Sequence, residues 1–188
     1  RLFIYYNERD MEGSIPEDTG AQLIDGIKSV VHTGVCRESM WPYATDKFDD
    51  KPPIWATSPP IECYEEAMKN RALEAHPLKQ TATELKGCLV KGFPFVFGFA
   101  VFESLETDEV TASGKVPMPA GWDPSNTETY GITEKCVGGH AVACVGFDDE
   151  KQAFLVRNSW GEDWGIGGYC WFPYEYMLSE VLCDEFFM

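Results

Sequence analysis

Apolar positions in the first 92 residues recur at a helical period. Leu23, Ile27, Val30 and Val31 share one face of a predicted helix. It follows Thr19-Gly-Ala-Gln22, a capping-box pattern in which a hydroxyl accepts an early amide and a glutamine reaches back, and Gly34 suits the stop. A second helix is predicted from Glu62 to about Ala72, after the proline-rich connector from Lys51 to Pro60. A third begins at Thr81-Ala-Thr-Glu84, turns Leu85, Cys88 and Leu89 inward, and ends at Gly92. From Phe93 the pattern changes to aromatic and β-branched runs punctuated by glycine. These predict strands over Phe95 to Phe102, Ala141 to Phe147, Ala153 to Arg157 and Gly168 to Phe172, with Asp148 to Gln152 as a polar hairpin loop. A long loop rich in Gly, Pro, Ser and Thr is expected from Glu103 to Val137. The fold class is therefore α+β, with a helical part over 1–92 and a β-rich part over 93–188.

Composition narrows the functional classes. The 188 residues carry 31 acidic against 15 basic side chains, a net charge of -16. With no Lys/Arg cluster, the long-range field repels polyphosphates, and nucleic acid is not an expected partner. The nearly apolar stretch from Phe93 to Phe102 is about half the length of a membrane-spanning helix and contains Pro94 and Gly98, so it reads as a buried strand and no membrane partner is expected. Seven cysteines, an odd number with no C-x-x-C pair, cannot all be paired within one chain. Cys136, His140 and Cys144 are spaced by four, which would make a metal face on a helix; on a strand the spacing does not converge, so neither a metal nor a cofactor is expected.

Two stretches carry candidate chemistry. Gly138-Gly139-His140-Ala141-Val142 opens a strand, and Arg157-Asn158-Ser159-Trp160-Gly161 closes a nearby one. An asparagine at the end of the adjacent strand can accept the imidazole N–H and fix its tautomer. The other ring nitrogen is then available to take a proton from a thiol, giving a thiolate–imidazolium pair. Trp160 could cover that hydrogen bond and keep water from it.

These blocks resemble those of the papain-like cysteine peptidases. The resemblance rests on Gly138 to Phe147 and on Val156 to Tyr169, which look like the family's histidine and asparagine blocks in order and separation. Gly34-Val35-Cys36-Arg37-Glu38-Ser39-Met40-Trp41-Pro42-Tyr43 looks like the family segment ending in Pro-Tyr, and Gly92 to Phe99 resembles the strand that opens the β lobe. The wording is closer to bacterial and viral-type members than to animal cathepsins. The resemblance implies the papain-like two-lobe fold, with a helical N-terminal lobe and a β-barrel-like C-terminal lobe. It also implies hydrolysis of peptide bonds in a peptide or protein substrate through a thioester acyl-enzyme. On that basis His140 is general base and then general acid, and Asn158 orients it. Trp160 shields the pair and lines the leaving-group side of the substrate cleft, the Gly139 carbonyl holds substrate, and Ala141 and Gly98 border a roomy pocket for the second residue before the cut.

One departure shapes the expectation. The family's nucleophilic cysteine stands about 130 residues or more before the histidine. Counting back from His140 reaches the start of this chain, where no cysteine stands; the first is Cys36, followed by Pro42 and preceded by no glycine-rich approach. The nucleophile, the oxyanion-hole glutamine and the family's central helix are therefore expected on a companion N-terminal segment or chain. The alternative is a non-catalytic papain-like homologue serving as a binding or structural module.

Overall fold

The computed structural model describes residues 1–128 and 130–188. The elements run α1 (Leu2–Glu12), α2 (Leu23–His32), α3 (Ile61–Ala67), α4 (Ala82–Val90), β1 (Phe95–Phe102), α5 (Asp108–Ser113), β2 (Cys136–Asp148), β3 (Ala153–Arg157), β4 (Tyr169–Pro173), α6 (Tyr174–Met177) and β5 (Cys183–Phe187). They fall into two compact units, Arg1–Ala75 and His76–Met188.

In the first unit the capping box is not used. Helix α2 starts at Leu23, and its N-cap is Gln22, with no side-chain cap. The Glu12 carboxylate at the end of α1 accepts the Gln22 N–H at 2.8 Å, so the acceptor comes from a neighbouring helix and residues 19–22 stay out of helix. Helix α3 stops at Ala67 rather than near Ala72, because the backbone turns away and Ala72 N–H donates to the Val30 carbonyl. A Cβ on Gly26 of α2 would lie 2.5 Å from the Glu8 carboxylate of α1, so a larger residue there would push the Glu8 side chain aside.

Burial and the nearby Glu12 and Asp25, against an opposing contribution from Arg9, raise the Glu8 carboxyl from 4.5 to about 7. The folded state thus holds a proton that the unfolded chain releases, and stability falls as pH rises from about 4.5 to about 7. Discounted for partial solvent screening, the cost above that window is about 1 kcal/mol. Glu8→Gln is expected to raise Tm by a few degrees at alkaline pH and to leave it unchanged at pH below 4.5, read by calorimetry across pH.

The second unit is built on one five-stranded antiparallel sheet in the order β4-β3-β2-β1-β5. It is open and does not close into the barrel-like form that the sequence suggested. The edge strands β4 and β5 meet short isolated bridges, Lys115–Trp171 and Pro77–Phe187, instead of each other. Alternation along β1 buries Phe95, Phe97 and Phe99, each worth about 1.5–3 kcal/mol. Phe97 stacks on Phe186 and meets Phe172 edge-on. Helix α4, capped at Thr81 as its sequence predicts, packs Leu85 and Cys88 into this core. The Gln80 amide clips the end of the chain, donating to the Met177, Ser179 and Cys183 carbonyls at 2.9, 2.9 and 3.1 Å. The stretch expected as a bare loop contains α5 and a 3-10 turn, Glu103–Glu106.

Candidate active site

β2 and β3 pair side by side, with Ala143 opposite Arg157. His140 lies three residues before that pair on β2, and Asn158 follows β3 directly. The long turn from 158 to 168 is held by Asn158 N–H donating to the Gly168 carbonyl at 2.9 Å and by Gly168 N–H donating to the Trp164 carbonyl at 2.8 Å. Within it Gly165 has a φ of +62°, and a Cβ there would lie 2.4 Å from the Tyr169 carbonyl oxygen. That fit accounts for a glycine at this position.

The result is a hydrogen bond of 2.8 Å between His140 Nε2 and Asn158 Oδ1. Oδ1 also accepts the Ser159 N–H at 2.8 Å. The Ser159 N–H can only donate, so the atom it meets is the amide oxygen, which has no proton to give, and Nε2 must carry the hydrogen. Nδ1 is left as the basic nitrogen. Among the described residues it has no hydrogen-bond partner. The ring is held on both sides, stacked on Trp160 with centroids 5.1 Å apart and meeting the Phe99 edge at 5.7 Å. Buried Trp164 backs Trp160 edge-on at 5.2 Å.

Gly98 pairs with Ala141 on one side and with Asp184 on the other. Paired residues share a face, so these three project together on the side of the sheet opposite Phe97 and Phe99. A Cβ on Gly98 would lie 2.7 Å from the Asp184 carboxylate. Gly139 and Ala141 are exposed, and the space beside Gly139 is open, with the Phe99 carbonyl oxygen the nearest contact at 3.9 Å. Sequence reasoning missed Phe99, Trp164 and Asp184 as neighbours of this region. For Asp184 no alternation gave a signal: Asp184 and Glu185 are adjacent polar residues between Cys183 and Phe186, and an irregularity at Glu185, with a φ of +51°, interrupts the period of β5.

Burial disfavours the thiolate at five of the seven cysteines. Burial pushes the thiols of Cys144 and Cys170 up to about 12 and raises those of Cys88 and Cys183 as well. Burial and the adjacent Cys63 push Cys36 up to about 11. Such groups stay protonated at neutral pH and are poor nucleophiles. Exposed Cys136 is four residues from His140 on one strand, about 13 Å away, and its thiol donates to the Gly138 carbonyl. No group of three or more His, Cys, Asp and Glu among the described residues could hold a metal ion, and no helix is long and apolar enough to cross a membrane.

Residues 19–180 match the sequence model of the papain family cysteine proteases. An uncharacterized peptidase C1-like protein of Acanthamoeba polyphaga mimivirus is 42% identical over 196 aligned residues, which cover 100% of this chain and 57% of the viral protein. Xylellain, a cysteine protease from Xylella fastidiosa, superposes with a TM-score of 0.86 at 38% identity, covering 99% of this chain and 67% of that one. A procathepsin B of Trypanosoma congolense shares the fold, with a TM-score of 0.65 at 18% identity over 100% of this chain and 58% of its own. The chain belongs to the papain family of cysteine proteases, and its fold is the papain-like α+β form. It spans 57% of the length of its viral relative.

Proposed function

We propose that the protein is a cysteine-type endopeptidase in which this chain supplies the acid–base machinery and a segment outside residues 1–188 supplies the nucleophilic thiol. The observation that carries this reading is the His140–Asn158 hydrogen bond, which fixes the ring and leaves Nδ1 free to take a proton. The protonated states of the buried cysteines support placing the thiol elsewhere. So does the slender core of the first unit, where the buried apolar side chains among the described residues are Leu2, Phe3, Pro59, Cys63 and Ala67. A companion segment that covers more apolar surface would stabilise such a unit.

His140 Nδ1 takes the thiol proton, and the thiolate adds to the scissile carbonyl carbon. The tetrahedral adduct collapses as the imidazolium gives that proton to the leaving amine, which produces a thioester. The imidazole then deprotonates a water, which attacks the thioester and releases the acid and the thiol. Asn158 holds the ring in the reactive tautomer throughout, Trp160 keeps water from the bond between them, and the Gly139 backbone carbonyl holds the substrate chain. Gly98 and Ala141 leave room for a bulky apolar side chain two residues before the cut. Asp184 beside them repels an acidic one.

The test is covalent labelling of the full-length protein with an epoxide or vinyl-sulfone probe, read by peptide mapping. The label is expected on a cysteine outside residues 1–188 and is expected to be lost in His140→Ala. Labelling of one of the seven cysteines of this chain would overturn the placement of the nucleophile. No labelling at all would leave the non-catalytic homologue as the better reading. With the same material, a peptide panel varied at the second residue before the cut is expected to favour Leu or Phe over Asp or Glu.

A further inference from the structure

Cys36 and Cys63 lie outside the proposed reaction. Cys36 follows a backbone segment that runs against α3: Val35 N–H donates to the Asn70 carbonyl at 3.1 Å, and a Cβ on Gly34 would lie 2.0 Å from the Ala67 carbonyl oxygen. Cys63 sits one helical turn before Ala67, so both present to the same side of α3. The Cys63 thiol reaches the Met40 carbonyl at 3.8 Å, so the segment that holds Cys36 meets α3 at Gly34, beside Ala67, and at Met40, beside Cys63. Cys36 packs on the cluster formed by Phe3, Cys63 and Ala67, which brings the two thiols near each other. Both are free.

We propose that Cys36 and Cys63 form a redox pair that closes to an intramolecular disulfide when the protein meets a low-molecular-weight disulfide oxidant. Cys36, the less buried of the two, attacks one sulfur of the oxidant as its thiolate. A mixed disulfide forms and one small thiol leaves. Cys63, as its thiolate, then attacks the Cys36 sulfur, and the second small thiol leaves. The protein loses two hydrogens, and the oxidant is reduced to two thiols. Both side chains belong to one packed cluster, and closure brings the sulfurs to a bond of about 2.05 Å. Another pair of buried cysteines is placed less well. Cys144 and Cys170 both pair with Val156, one from each side, and so stand two strand spacings apart, about 9.5 Å, beyond the reach of a bridge. Because the Cys36 thiol is held up to about 11, closure is slow at neutral pH and speeds about tenfold per pH unit below that value.

The test does not read protease activity, so its outcome is independent of the function proposed above. The folded full-length protein is incubated with glutathione disulfide at mildly alkaline pH, its remaining thiols are alkylated, and it is digested with trypsin without reduction. The expected product is the peptide Ser29–Arg37 linked to Phe48–Lys69, two hydrogens lighter than the pair and separated by reduction. Oxidation is also expected to raise Tm by roughly 5–10 °C, and Cys36→Ser and Cys63→Ser each abolish that rise. Recovery of both cysteines alkylated, of Cys36 only as its glutathione adduct, or of the linked peptides only after denaturation would overturn the proposal.

Discussion

Replacing His140 by alanine is expected to lower kcat by about 10³–10⁴-fold while KM and Tm change little. Among the described residues the side chain makes one polar contact, to Asn158, and its ring lies at the edge of the core against Trp160 and Phe99, so its loss leaves the sheet intact. What disappears is the base that takes the thiol proton and the acid that protonates the leaving amine. Asn158→Ala is expected to lower kcat less, by about 10–100-fold, because the imidazole remains and only its tautomer and orientation are released. The two losses are not additive, since Asn158 acts through His140. The double variant should match His140→Ala alone. Steady-state kinetics on the full-length protein check all three. If His140→Ala retains activity within tenfold of the parent, the assignment of His140 fails.

Different parts of the molecule were legible in the sequence to different degrees, for physical reasons. The His140–Asn158 pair was legible because each residue lies in a short, dense block and the two strands between them are joined by a hairpin, so local rules bring them together. Strand β1 was legible because Phe95, Phe97 and Phe99 alternate with smaller residues. The neighbourhood of Gly98 was not. Asp184 reaches it only when β5 returns across more than 80 residues to pair with the free edge of β1, and no local pattern encodes that choice of partner. The open sheet has the same origin, since whether β4 and β5 meet depends on long-range pairing. Helix α1 escaped for another reason. Its buried residues are Leu2, Phe3, Asn7 and Arg9, which form no apolar stripe because half of them are polar.

Arg9 is the centre of that polar core, and Arg9→Lys is expected to lower Tm by roughly 5–10 °C. The side chain is fully buried. Its guanidinium donates to the carbonyls of Tyr5, Ile15, Glu17 and Trp55, and its carbon lies 3.9 Å from the centre of the Tyr5 ring and 5.3 Å from that of Trp55. One planar fork thereby ties α1 to the turn that follows it and to the segment around Trp55. A lysine keeps the charge but offers three donors from a single nitrogen, so it cannot span carbonyls on both sides of the fork or lie flat against the two rings. Carbonyls left buried without donors cost about 1–3 kcal/mol each, partly offset where water enters. The loss should be confined to the first unit. Hydrogen exchange is expected to accelerate across residues 1–75 and to stay unchanged in β1 and β2, whose aromatic core does not involve Arg9. Equal Tm values for the parent and Arg9→Lys would show that charge alone, rather than the shape of the guanidinium, holds this unit together.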